Sequence, residues 1–322
     1  MSQLKKKMKK WASESTFGYV VYSYTHSLYF WLRSAQSDRK YAEQMYRKSM
    51  GKELNLDDPK HLNEKLWWLK LNNRDPMLTL CSDKYRVREY VRDCGYEDIL
   101  IPQLGVYDNA KEIDFSVFTE ETLLKCNHGS GSNFFISPKA ETDEKQIRMK
   151  LNFALKQKYY RLSREWNYKN IEPKIIADKV IRDKNGRLPL DYRFFCFDGE
   201  PKLLMMDVGV INDEGVHQHV YPRNLYDMDF QRLPIRWGRD SYDGPVEKPE
   251  NFERMVEIAR KLSEPFALAR VDLYNLDGKI YFGEITFYHA GGCQSIEPEE
   301  WDYRIASWID LNSPKIVRKN GK

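Results

Sequence analysis

Four polar residues stand in two apolar runs near the end of the chain, in the stretch ARVDLYNLDGKIYFGEITFYHAGG from Ala269 to Gly292. Arg270 and Asp272 share one face of the first run, and Glu284 and Thr286 share one face of the second, because strand side chains alternate. Whether the two pairs meet depends on the turn between them. A two- or four-residue loop sends Asp272 and Glu284 to opposite faces, whereas a three-residue loop, Leu276-Asp277-Gly278, brings them together, with Gly278 supplying the left-handed residue. The three-residue loop is therefore expected. It sets Asp272 opposite Phe282 with Glu284 as its diagonal neighbour at roughly 7–8 Å. Two carboxylates at that spacing can share one or two hard cations, and Arg270 points at the same place. A magnesium site beside a guanidinium is what a triphosphate requires.

A second group of residues suits phosphate. In ETLLKCNHGSGSNFFISP the small residues from Asn127 to Asn133 form a loop whose amides can approach an anion closely, directly after Lys125. No Gly-Lys-Ser/Thr follows, which excludes a Walker loop, and no helix opens after it, which excludes a dinucleotide fingerprint. Further on, KIIADKVI interrupts a β-branched run with Asp178 and Lys179, and LDYRFFCFDGEPKLLMMD reads as a hairpin about Asp198-Gly199 with Asp191 and Arg193 on one face. Upstream, SDKYRVREYV places Lys84 and Arg88 one turn apart on an expected helix.

Taken in order, LNEKLWWLKLNNRDP, SDKYRVREYV, LLKCNHGSGSN, KIIADKVI, LDYRFFCFDGEPK and ARVDLYNLDGKIYFGEITF resemble the ATP-grasp superfamily, specifically the TupA-like branch linked to teichuronopeptide and surface-polysaccharide biosynthesis. The resemblance runs from about Ser37 to Gly292. It implies an α+β, ATP-grasp fold, two subdomains gripping ATP, with an N-terminal helical extension. It also implies roles by position. Lys84 and Lys125 would reach the nucleotide, Gly129, Ser130 and Gly131 would close over the phosphates, and Asp178, Lys179 and Val180 would form the hinge that reads adenine. Arg193 and Arg270 would neutralise the transferred phosphoryl group, and Asp272, Glu284 and Thr286 would hold Mg2+. The chain departs from the superfamily pattern at Thr286, where Asn is usual, and at Asp178, where Glu is usual. The implied activity is an ATP- and Mg-dependent carboxylate–amine ligation through an acyl phosphate, amidating a uronic acid or adding an amino acid during capsular or exopolysaccharide synthesis. The implied partners are a glycan or lipid-linked glycan and a small amine or amino acid.

Elements must hold these residues in place, and 322 residues suffice for a full core in one large or two to three smaller domains. The segments read as a leader (1–37), a helical region (38–117), a lid with a strand pair and a long helix TDEKQIRMKLNFALKQKYYRL (118–177), a catalytic half of antiparallel strands (178–310) and a tail (311–322). A net charge of +4 gives no field suited to nucleic acid. Five scattered cysteines without a C-x-x-C pair point to a reducing, cytoplasmic setting. His217 and His219 are two apart on an expected strand but lack a third metal ligand. Asp227-Met228-Asp229 matches a D-x-D metal motif and keeps a glycosyltransferase as an alternative, and a phosphotransferase that stops at γ-phosphate transfer is another. In the leader, Lys5, Lys6, Lys7, Lys9 and Lys10 precede Phe17, Val21, Tyr24, Leu28 and Trp31 at helical spacing. That helix either lies in a membrane interface, giving residues 1–33 a peripheral contact on the inner face of the cell membrane, or packs on the catalytic body.

Overall fold

The computed structural model describes residues 35–208 and 220–319, with residue 210 and five positions between 18 and 25. From residue 35 on, four α-helices come before the first strand. In α1 (Asp38–Met50) the Ser37 hydroxyl accepts from the Lys40 amide, and Gly51 ends the helix in the left-handed region. α2 (Leu62–Asn72) begins where the Glu64 carboxylate accepts from the Lys60 and His61 amides and the Asp302 carboxylate accepts from that of Leu62. These bonds satisfy amides that a helix start leaves without internal partners. α3 (Pro76–Ser82) and α4 (Val87–Asp93) follow. Lys84 and Arg88 do not share a helix: Lys84 lies in the turn between α3 and α4, where its amide donates to the Asn127 carbonyl, while Arg88 on α4 donates to the Ile101 carbonyl.

Two antiparallel sheets make up the rest. The smaller has the order β1-β4-β2-β3, from β1 (Gln103–Tyr107), β2 (Thr122–Cys126), β3 (Phe134–Ile136) and β4 (Ile175–Lys179). It closes on α5 (Glu144–Leu155) over a core of Leu124, Cys126, Ile136, Leu151, Ile175 and Ala177. β1 belongs to this sheet although it precedes residue 118. The expected long lid helix is two pieces, α5 and α6 (Tyr159–Ser163), because the chain leaves helical geometry between Lys156 and Lys158.

The larger sheet has the order β10-β9-β5-β6-β7, from β5 (Asp191–Phe197), β6 (Glu200–Asp207), β7 (Arg223–Tyr226), β9 (Leu268–Leu276) and β10 (Lys279–Thr286). α7 (Phe252–Ser263) lays Phe252, Met255, Ile258 and Leu262 against it. β8 (Arg236–Trp237) pairs with β11 (Ile296–Glu297), and α8 (Glu299–Ser307) returns to α2. Antiparallel sheets with separate helical layers make this the α+β class.

The β9–β10 hairpin corrects the expected turn. Leu276 pairs with Lys279, so the loop has two residues, Asp277 and Gly278, with φ of 49° and 82°. An Asp-Gly pair with both φ values positive matches the twist of the flanking strands better than a three-residue loop does. Such a turn alone would put Glu284 on the face opposite Asp272. The register instead shifts by one between Phe282 and Glu284, and Glu284 pairs directly with Asp272 and Thr286 with Arg270. The bulge falls at Gly283, where a Cβ would come within 3.0 Å of the Asp272 carbonyl oxygen. The two carboxylates share a face through the bulge rather than through the turn.

Candidate active site

Arg270 is the centre of the site. Its Nε and Nη2 donate to the two Asp272 carboxylate oxygens at 2.7 and 2.6 Å, Nη2 also to Glu284 Oε1 at 2.9 Å and Thr286 Oγ1 at 3.0 Å, and Nη1 to His289 Nδ1 at 2.7 Å. The Thr286 hydroxyl donates to Glu284 Oε1 at 2.8 Å, fixing its orientation. Burial pushes the Asp272 carboxyl up to about 6 against the pull of Arg270. Burial would lift Glu284 as well, but Lys84 and Arg270 outweigh it and draw this carboxyl down to about 2. His289 is held well below the usual imidazole range by burial and by Arg270, and its Nδ1 accepts the hydrogen bond from the guanidinium. One face of the hairpin therefore holds a fixed cation between two acceptors of unequal proton affinity.

On the neighbouring strand Arg193, paired across β5 and β9 with Asp272, donates to Asp191 at 2.8 Å and to Asp207, with its Nε 3.6 Å from Asp272. Arg223 donates to both Asp207 oxygens. Burial would raise the Asp207 carboxyl, but the Arg223 and Arg193 guanidiniums hold it below its ordinary value. Arg193 and Arg270 thus both lie against Asp272; sequence reading aimed Arg270 there and set Arg193 on one face with Asp191.

The hairpin faces a cavity of about 660 Å³ between the sheets, lined by Arg193, Arg270, Asp272, Glu284 and Thr286 on one side and by Lys84, Lys125, Gly129, Ser130 and Gly131 on the other. A narrower slot of about 210 Å³ adjoins it, with Leu123, Lys125, Asp191, Tyr274 and Gly283 in both walls and Asp178, Lys179, Val180 and Ile181 in its own. Volumes of this order suit a small-molecule ligand. The glycine loop is moored at its root, where the buried Asn127 amide donates to Asp83 and to the Glu172 carbonyl. Lys84 Nζ donates to the Gly129 carbonyl at 2.8 Å, and burial lowers its proton affinity. Lys125 Nζ lies 2.9 Å from Asp178, so the hinge carboxylate positions this lysine across the sheet. The Lys179 and Val180 amides donate to the Pro102 and Glu121 carbonyls. Those donors are committed to the sheet, and a base in the slot must be met by other groups of the segment, including Ile181, which was not singled out. Of the glycine pair, Gly291 lines the cavity, while buried Gly292 packs on Leu66 and Trp67.

Several features sit elsewhere than the site. Asp227 accepts from the Asp229 and Gln231 amides, so the D-x-D triplet is a self-capping turn outside both cavities. Cys126 is buried, which raises its thiol pKa, and this disfavours a nucleophile. His217, His219 and most of the leader lie outside the described residues. Sequence reading missed His289, Asp207, Lys70 and Glu165, which come together only through long-range packing. The FYHAGG run after Thr286 was the one signal that could have pointed to His289.

Hard oxygen donors on paired strands suit a divalent cation. Among the described residues no three carboxylate, imidazole or thiol groups cluster as a complete cage. A magnesium ion held by Asp272 and Glu284, with Thr286 beside them, would take its remaining ligands from phosphates and water, which is its habit in nucleotide sites.

The TupA-like ATP-grasp model matches residues 64–309, more than half of the chain, and the chain belongs to that family. None of the curated proteins matches it. Among solved structures it is similar to D-alanine–D-alanine ligase from Bacillus anthracis complexed with ATP (16% identity over 68% of this chain and 57% of that chain, TM-score 0.38). It is also similar to D-alanine–D-alanine ligase from Helicobacter pylori (11%, 80% and 68%, 0.42) and to phosphoribosylamine–glycine ligase from Thermotoga maritima (13%, 67% and 50%, 0.40). The chain spans less than two thirds of the Bacillus anthracis enzyme.

Proposed function

We propose that the protein is an ATP- and Mg2+-dependent carboxylate–amine ligase that works through an acyl phosphate. The observation that carries this reading is the Arg270 cluster: Arg270 bound to Asp272, Glu284 and Thr286, with Arg193 behind it, across a cavity from Lys84, Lys125 and the Gly129–Gly131 loop. In this reading the adjoining slot takes the base and the loop covers the phosphates. Lys84, Arg270 and Arg193 stabilise charge as the γ-phosphoryl group passes to a substrate carboxylate. Magnesium, when bound, supplies charge neutralisation on the triphosphate. The acyl phosphate then meets an amine, and phosphate leaves.

The substrates fit capsular or exopolysaccharide synthesis: a uronic-acid carboxyl on a glycan or lipid-linked glycan, and a small amine or amino acid. Cytoplasmic residence follows, with the lysine-rich segment 1–33 supplying a peripheral contact with the inner face of the membrane. Among the described residues no helix is long and apolar enough to cross a membrane. Family membership and the turn geometry of Asp227 disfavour the glycosyltransferase alternative. Incubation with ATP, uronic-acid acceptors and amines, followed by mass spectrometry, should yield ADP, phosphate and an amide. A stable phosphorylated glycan without amide would make the protein a phosphotransferase, and consumption of a UDP-sugar without ATP hydrolysis would sink the ligase.

A further inference from the structure

The far end of the cavity, away from the base slot, is walled by Tyr41, Trp67, Tyr168 and Tyr288 and holds two charged side chains that phosphate transfer does not use, Lys70 and Glu165. Lys70 projects from α2 with 1% exposure; its Nζ donates to the Gly291 carbonyl at 2.9 Å and lies 3.5 Å from the centre of the Trp67 ring. Glu165 is 7% exposed on the segment after α6. That segment is fixed from several sides. Tyr41 donates to the Leu162 carbonyl, Arg164 pairs with Asp38, Asn167 donates to Ser82, and the Glu165 amide donates to Ser163.

Among the described residues neither Lys70 nor Glu165 makes an ion pair within 4.0 Å, with each other or with any other group. Lys70 has only a carbonyl and an indole face as neighbours and Glu165 the Ser163 hydroxyl, and burying two opposite charges without an ion-pair partner is costly unless a ligand completes them. Glu165 interacts electrostatically with Lys84 and Glu284 as well as with Lys70, and Lys70 with Glu165 and Cys293. Burial raises the proton affinity of Glu165 and lowers that of Lys70.

We propose that Lys70 and Glu165 form the subsite for the amine substrate and select a zwitterion, an α-amino acid whose carboxylate pairs with Lys70 and whose ammonium faces Glu165. The proposal rests on the ligase reading. The ammonium gives one proton to the Glu165 carboxylate and becomes the nucleophile. Its nitrogen forms the C–N bond as the acyl C–O bond to phosphate breaks, and the phosphate takes the electron pair. The second nitrogen proton leaves with the phosphate as HPO4 2−. Simple amines and ammonia lack the group that Lys70 binds and are poor substrates.

The test is calorimetry on the full chain loaded with Mg2+ and a non-hydrolysable ATP analogue, titrated with the common L- and D-amino acids. At least one should bind, and its methyl ester and its decarboxylated amine should bind at least about tenfold more weakly, the loss of one charge-assisted hydrogen bond. Lys70→Met should weaken the free acid by the same factor and leave the ester unchanged, while Glu165→Gln should weaken both; nucleotide affinity and circular dichroism report whether each variant is folded. Equal binding of acid and ester to the wild-type protein, a comparison that needs no variant, overturns the proposal. So does nucleotide binding with no amino acid bound. Failure to bind the nucleotide is a different result and overturns the ligase reading itself.

Discussion

Asp272 and Glu284 differ in environment although they face each other: Asp272 has both oxygens held by Arg270, while Glu284 shares one oxygen between Arg270 and Thr286. Asp272→Asn and Glu284→Gln should each lower ATP turnover by at least about a hundredfold with folding intact, because each removes charge needed in the transition state. A loss below threefold in both would defeat the metal assignment. Asp207 has a structural role between Arg193 and Arg223. Asp207→Asn should cost roughly 3 kcal/mol at neutral pH, since it strands buried guanidiniums. The sign of its pH dependence follows from its depressed folded-state pKa. The stabilisation is present above the unfolded value near pH 4 and is lost as pH falls through the folded one, so denaturation midpoints of wild type and variant should converge in acid. A gap that persists unchanged at pH 3 would contradict this ion-pair account. The types and spacing of Arg193, Arg270, Asp272, Glu284 and Thr286 were legible in the sequence because they lie on two hairpins. Asp207 and His289 were not, since what marks them is who packs beside them.

At the level of elements, the hairpin shows how a correct conclusion can stand on a wrong intermediate. Even and odd positions are fixed by loop length only while the ladder stays regular, and nothing in Tyr281-Phe282-Gly283-Glu284 announces a bulge beyond the glycine itself. Deleting Gly283 should give a regular ladder that keeps the Asp277-Gly278 turn and leaves Glu284 opposite Asp272, since Glu284 then follows Phe282 directly. ATP turnover should fall far less than in Glu284→Gln. A loss as deep as that of Glu284→Gln would show that this pairing does not set the geometry. The stretch from Asp38 to Asn73 was read in the sequence as helical, and α1 and α2 lie in it. The break between α5 and α6 was not legible, because Lys-Gln-Lys is a good helix former; beyond the break Tyr159 stands against Gly129.

At the scale of the whole molecule, the proposed role of the leader is to attach the enzyme to a membrane. Tyr24 meets the Phe153 ring on α5 edge-on at 6.4 Å, a point of contact with the lid sheet's helix. If the leader attaches the chain to a membrane, the intact protein should bind anionic vesicles, and either high salt or removal of residues 1–33 should release it, since five lysines supply about 1 kcal/mol each near the surface. Absence of vesicle binding at any salt, with a lower melting temperature after truncation, would show instead a helix packed on the body. The chemistry itself is tested most directly by trapping. With MgATP, a uronic acid and hydroxylamine in place of the amine, an acyl phosphate must be captured as a hydroxamate. The account predicts ADP and hydroxamate in equal amounts, both abolished by Glu284→Gln. ADP without hydroxamate for every uronic acid and amino acid offered as the carboxylate would contradict it.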